Sequence, residues 1–373
     1  MASNSFGNVF RFTTWGESHG KSLGVVVDGV PAGLPLTEDI VQRDLDLRAP
    51  GRGVHTSPRK EKDKAVICSG VFKGITTGAP ISIVVENTNA DSSKYDAIAN
   101  ILRPGHANFT YLQKYGVFDH RGGGRASARE TLCRVAAGAV AGQLLAAAGI
   151  WVDAFLTGVG KIEFPLEDFK SAAAFAAKNA LCAPNSDAEH AFAQEINQAV
   201  ADHDSVGGMV TFVAEGVPAG LGDPVYAKLS ALLAQAMFSI PACRGFEIGE
   251  GFASATKRGS ASNDAFILMD AKIQPASNRA GGVLGGISTG LQIYGRVAFK
   301  PTASIFIPQR SVDLSGRETE FVLPAGSRHD PCVAVRAVPV VRAMCRVVLA
   351  DALLMQRALV GQDFLCSLPR EGA

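Results

Sequence analysis

The chain has 373 residues, 47% of them hydrophobic, with 36 Lys and Arg against 35 Asp and Glu for a formal charge of +1. So much apolar content with so little net charge excludes a disordered chain and supplies a sizeable core. Near-zero charge also excludes a protein built to coat nucleic acid or an anionic membrane surface.

The first twenty residues lack a basic stretch followed by an apolar one, so no secretory signal is expected. WGESHGKS (15–22) approaches a phosphate-binding loop but has three residues between Gly16 and Gly20 where that loop needs four. What remains is His19 on a Gly-flanked turn, either a proton carrier titrating near neutrality or a structural histidine. From 23 to 45 an apolar strand, a GVPAGL turn and a helix are expected, with Thr37 as N-cap and Glu38 and Asp39 in the first turn. LRAPGRG with Arg59 and Lys60 follows: four basic residues and no acid between 48 and 60. That loop either folds over a ligand or is a basic surface. Strands are expected at 64–72 and 80–86, where β-branched and aromatic residues concentrate.

RPGHANFTYLQKYG (103–116) sets His106 after a Pro-Gly turn, with Arg103 nearby to push an imidazole towards its neutral form. The sharpest local signal is DHRGGGRASARET (119–131). Three consecutive glycines let the backbone curl around a ligand. Ser127 and Glu130 have the spacing of a capping box opening a helix over 127–148. A Gly-rich entry into a helix presents N–H groups to anions, and Arg121, Arg125, Arg129 and Arg134 surround it. Phosphate or carboxylate binding is expected there. The uncharged run 135–152 approaches membrane-spanning length, but its Ala and Gly content predicts a buried helix of a soluble fold.

Segment 153–204 carries nine Asp and Glu against three Lys. Helices at 168–181 and 188–201 are expected there as solvated surface. At 208–237 the strand, GVPAGL and helix pattern returns, with Asp223 as N-cap and Pro224 opening a helix over 224–238. The repetition predicts one pseudo-duplicated core. Strands at 245–249 and 291–299 and a helix at 339–358 complete the elements. Glycine-rich 278–290 has no strand-to-helix dinucleotide fingerprint. SRHDPCVAVRAVPV (327–340) offers Arg328, His329 and Asp330, the last equally placed to cap a helix ahead of Pro331. Seven cysteines without a CxxC pair predict reduced core thiols, with neither disulfide nor zinc. Strands cluster and do not alternate with helices, so the class is α+β.

In chain order, GESHG, RPGHA, RGGGR-x-SARET, GFEIGEGF, AGG-x-x-GGIS-x-G, KPTASI and RHDPC closely resemble the chorismate synthase family, from residue 6 to about 358. The resemblance implies a β-α-β sandwich with helices between two antiparallel sheets and internal pseudo-symmetry. It also implies a single domain over 1–373, assembled as a cytoplasmic homotetramer. The implied reaction is a 1,4-anti elimination of phosphate from 5-enolpyruvylshikimate 3-phosphate, giving chorismate. It requires reduced FMN, which is not consumed overall.

By resemblance, His19 protonates the departing phosphate, His106 holds a proton near the flavin, and Asp330 assists removal of the ring proton. FMN contacts fall to Arg125, Ala126, Ser127, Ala242, Gly285, Lys300, Pro301, Thr302, Ala303, Ser304 and Arg328. Arg48 matches an anion-binding arginine, with Arg52, Arg103 and Arg129 as further substrate contacts. Val54 stands where the family often has a second arginine, so Arg52 or His55 is expected to substitute. No metal, nucleic acid or membrane is implied. No extra domain for flavin reduction by NADPH is apparent, so a separate reductase is expected.

Overall fold

The computed structural model describes residues 4–49, 51, 63–88, 98–166, 168–269, 272–324, 326–327 and 329–359. Arg52, Val54, His55 and Arg328 lie outside the described residues.

The first part of the chain builds an antiparallel sheet from β1 (Ser5–Phe6), β2 (Arg11–Gly16), β3 (Ser22–Asp28), β4 (Ala65–Ile67) and β7 (Ile81–Glu86). Its order is β1-β2-β3-β7-β4, with the small hairpin β5 (Val71–Phe72) and β6 (Ile75–Thr76) beside it. Period-2 alternation turns Ile81, Ile83 and Val85 of β7 inward. The second sheet takes β8 (Trp151–Val159), β9 (Ile162–Glu163), β10 (Gly208–Glu215), β11 (Cys243–Ile248) and β16 (Ile293–Phe299) in the order β11-β16-β10-β8-β9. Hairpins β12 (Phe266–Met269)–β13 (Lys272–Pro275), β14 (Val283–Leu284)–β15 (Ile287–Ser288) and β17 (Gln309–Val312)–β18 (Glu318–Phe321) stand apart from both sheets.

The helices are α1 (Glu38–Arg48), α2 (Asn108–Tyr115), α3 (Thr131–Ala147), α4 (Phe169–Ala176), α5 (Ser186–Ala201), α6 (Leu229–Phe238), α7 (Gly259–Ser262) and α8 (Val333–Leu359). α3 packs on β3 of the first sheet, α8 packs on β8 and β10 of the second, and the two helices pack on each other. The α+β sandwich with a helical layer between antiparallel sheets is therefore the observed architecture. The small residues of α3 permit this closeness: a Cβ on Gly138 would lie 2.4 Å from that of Ala343. No helix among the described residues is long and apolar enough to cross a membrane.

Charge ties the layers together. Arg342 and Arg346 of α8 meet Asp44 of α1 at 2.9 and 2.7 Å, and Arg342 also reaches Asp153 of β8 at 3.4 Å. The two GVPAGL turns follow the central strands β3 and β10 and lead to α1 and α6, both of which pack on α8.

Several expectations need correction. Segment 153–204 is not all solvated helix, because most of β8 falls in it with nearly every side chain buried. A strand covered on both faces loses the alternation by which strands are recognised. α5 also buries Ala188, Phe192 and Ile196. α6 begins at Leu229 and not at Pro224, since Gly286 O accepts from Leu229 N at 2.8 Å and serves where Asp223 was expected to cap. α8 starts at Val333 and runs through Pro339, where burial of the surrounding valines overrides one missing donor. Cys68 is exposed, unlike the five other described thiols.

Candidate active site

A cavity of about 1270 Å³ opens where loops from both halves converge on the N-terminal end of α8 and the C-terminal end of α6. Seven arginines and Lys300 line it against four carboxylates, a local excess that the neutral whole chain conceals.

At its floor, Arg48 and Arg129 share one carboxylate. Asp63 receives Arg48 Nη1 at 3.2 Å and Arg129 Nη1 at 2.9 Å, and its side chain is fully buried. Two guanidinium groups against one carboxylate leave net positive charge facing the cavity. Arg48, 1% exposed, also donates to Thr131 Oγ1 and to Ala128 O at 3.2 and 2.8 Å. Burial, then Arg336, press its guanidinium down to about 9, and Asp63 partly opposes them. It therefore stays charged at neutral pH.

The wall is the glycine loop. Gly122, Gly123 and Gly124 adopt φ of 60°, 82° and 52°, three successive left-handed residues that side chains disfavour. Space makes the same demand. A Cβ on Gly122 would lie 2.2 Å from His19 Cδ2, and one on Gly123 would lie 3.3 Å from His106 Nε2. The two histidines thus abut neighbouring residues of one loop. His19 sits in the β2–β3 turn, tied to the loop by Ser18 N donating to Gly124 O at 3.4 Å. Ser18 and Glu17 line the cavity while the His19 ring lies against the loop.

His106 lines the cavity. Burial first, then Arg103, His329 and Lys300, push its pKa down to about 3. Burial and Arg103 likewise lower His329 to about 4, with Asp330 opposing. His106 is therefore neutral in the protein alone, as its neighbour Arg103 suggested. The expected protonated form requires an anion beside it.

The capping box does not form. Ser127 Oγ accepts from Arg129 N at 3.3 Å and caps a short 3-10 turn, Ala128–Glu130, ahead of α3. Glu130 turns away, accepting from Thr14 Oγ1 and Arg134 Nε, both at 2.9 Å. Thr14 Oγ1 in turn accepts from Arg125 Nη2 at 2.9 Å. Glu130 thus holds Arg125 through Thr14. Arg121 instead pairs with Asp119 at 2.8 Å and is half exposed.

On the opposite side, Lys300 Nζ donates to Gly105 O at 2.8 Å and Arg103 Nη2 to Ser304 Oγ at 2.6 Å. Thr302 Oγ1 donates to Asp330 O at 2.8 Å, and the Asp330 carboxylate pairs with Arg336 Nη1 at 2.8 Å. Asp330 faces Arg336 one turn into α8.

Of the residues expected from sequence, Arg48, Arg103, His106, Arg125, Ala126, Ser127, Arg129, Ala242, Lys300 to Ser304 and Asp330 line this one cavity. His19 is not among the lining residues, its ring lying against Gly122, and neither is Gly285. Its neighbour Gly286 binds the first residue of α6, about 15 Å along that helix from the cavity end. Arg52 and Arg328 lie outside the described residues. Sequence reasoning missed Thr14, Asp63, Asn87, Arg244 and Arg336. None has a local signature, since each acts through contacts made only in the folded chain.

The chorismate synthase family model matches residues 10–354. The chorismate synthase of Protochlamydia amoebophila is 52% identical over 363 residues, covering 96% of this chain and 99% of its own. That of Methanosarcina mazei is 49% identical over 354 residues, covering 95% and 97%. A crystal structure of chorismate synthase superposes with a TM-score of 0.75 at 32% identity, covering 94% of this chain and 93% of its own.

Proposed function

The chain belongs to the chorismate synthase family, and we propose that its cationic cavity eliminates phosphate from 5-enolpyruvylshikimate 3-phosphate to give chorismate. The observation carrying this reading is the cavity itself, lined by eight cationic side chains, four carboxylates and His106, with His19 packed against Gly122 of the glycine loop that forms its wall. The substrate brings a phosphate and two carboxylates, about four negative charges near neutrality, which balances that excess.

In the reaction the C–O bond to phosphate breaks and a ring C–H in the 1,4 relation to it loses its proton. The C=C between them shifts to the carbon that lost phosphate, and a second C=C forms at the carbon that lost the proton, giving a conjugated diene. Charge develops on the departing phosphate. Arg48 and Arg129, already fixed by Asp63, stabilise it without reorganising. His19 supplies the proton that the phosphate takes away. Asp330, kept in place by Arg336, accepts the ring proton on a carboxylate oxygen. His106 is neutral in the protein alone, held so first by burial and then by Arg103, His329 and Lys300, and takes up a proton only when the negative charge bound beside it outweighs them all.

The cavity fits FMN as well as substrate. It exceeds the usual volume of a single-ligand site. His106 Nδ1 is buried with no hydrogen-bond partner among the described residues. Arg125, Ala126, Ser127, Ala242 and Lys300 to Ser304 would hold the cofactor. Held there, reduced FMN would supply electron density transiently with no net consumption.

We assign the chain to a single domain working as a cytoplasmic homotetramer, with its flavin reduced by a separate reductase. The hairpin β12–β13 supports self-association, since Leu268 and Ile273 are 74% and 78% exposed and would be covered by another copy.

The assignment of proton carriers is tested by replacement. His19→Ala and His106→Ala are each expected to lower kcat about 100-fold or more while FMN and substrate still bind. Wild-type turnover in both variants removes the two histidines from the mechanism.

A further inference from the structure

Asn87 follows the last residue of β7 and makes use of its whole amide. Its Nδ2 donates to Glu17 O at 3.0 Å and to Gly20 O at 2.7 Å. These two carbonyls bracket His19 in the β2–β3 turn. Its backbone N donates to Lys21 O at 3.0 Å, just beyond the same turn. Its Oδ1 accepts from Arg129 Nε at 2.6 Å. The orientation of the amide is fixed by its surroundings: two carbonyl oxygens on one side require the NH₂ group, and a guanidinium on the other requires the oxygen.

We propose that Asn87 is a positioning residue for the elimination, clamping the His19 turn in register with the Arg129 guanidinium. The proton donor and the cation that stabilises the departing phosphate stand on different segments, a strand turn and the entry to α3. The turn is also tied within itself by Gly20 N donating to Glu17 O at 3.1 Å, and to the glycine loop by Ser18 N donating to Gly124 O at 3.4 Å. Asn87 hydrogen-bonds both the turn and Arg129 through one planar group. A planar amide with both ends engaged transmits position with little slack, and misplacement of a reacting group by about 1 Å costs on the order of 100-fold in rate. This role rests on His19 as the proton donor.

Three variants separate the two ends of the clamp. Asn87→Asp keeps an acceptor for Arg129 but loses both donors and turns a carboxylate oxygen towards the carbonyls of Glu17 and Gly20. It is expected to lower kcat about 100-fold with the KM for substrate little changed. Asn87→Ala releases both ends, lowering kcat and raising KM. Asn87→Gln retains the chemistry on a longer stem and recovers part of the lost kcat.

A second measurement needs no turnover. The imidazole ¹H–¹⁵N resonances of His19 are expected to move in both Asn87→Asp and Asn87→Gln while those of His106 stay in place. An unmoved His19 resonance, or wild-type kcat in Asn87→Asp, overturns the clamp. A wild-type protein that makes no chorismate overturns the proposed function instead and leaves the resonance test standing. Should Asn87→Asp not fold, Asn87→Gln decides through the same resonance.

Discussion

Asp63→Ala is expected to destabilise the protein by about 3–5 kcal/mol, read as a lowered urea midpoint. The cause is specific. Asp63 is the buried carboxylate between Arg48 and Arg129, which are 1% and 5% exposed. Without it two guanidinium groups face each other in a poorly solvated floor with Arg336 nearby, and desolvation is no longer offset by a partner. Asp63→Asn keeps acceptor geometry without charge and should fall between alanine and wild type. Inorganic phosphate should restore more stability to Asp63→Ala than to the parent, because an anion binding the folded state takes up the unbalanced charge. A midpoint unchanged in Asp63→Ala would show that the arginines hold their places without it.

Gly122→Ala is expected to fold yet lose about as much turnover as His19→Ala. At φ of 60° alanine costs about 1–2 kcal/mol, which most domains tolerate. The new methyl, however, would occupy the position of the His19 ring edge, 2.2 Å from Cδ2 and 2.4 Å from Nε2. The ring must swing away, and the proton it carries goes with it. The double variant Gly122→Ala/His19→Ala should therefore be hardly worse than His19→Ala alone, since both changes remove one interaction. Additive losses in kcat would mean that the glycine serves the reaction by another route.

The site motifs were legible because their chemistry is local. Three glycines in a row, histidines on Pro-Gly or Gly-flanked turns, and arginines flanking a helix entry all state their purpose within a few residues. The same holds for the GVPAGL repeat, whose strands became the centres of the two sheets. What escaped detection depends on residues distant in the chain. Nothing near Asp63 or Asn87 announces that folding brings Arg129 to both. Glu130 had the spacing of a cap, but Thr14 and Arg134 claim its carboxylate in the folded chain. β8 lost its alternation because α3, α4, α5 and α8 all pack on it and leave nearly every side chain buried. Gly285 carries a family motif, yet in this chain it lies beyond the far end of α6 from the cavity.

The central claim is that one cationic cavity binds the substrate and, with reduced FMN, expels its phosphate. It is tested most directly by anaerobic incubation of the protein with 5-enolpyruvylshikimate 3-phosphate, following phosphate and chorismate together. With reduced FMN the two products should appear in equal amounts over many turnovers, and with oxidised FMN alone neither should form. Folded protein that releases neither product with reduced FMN contradicts the account.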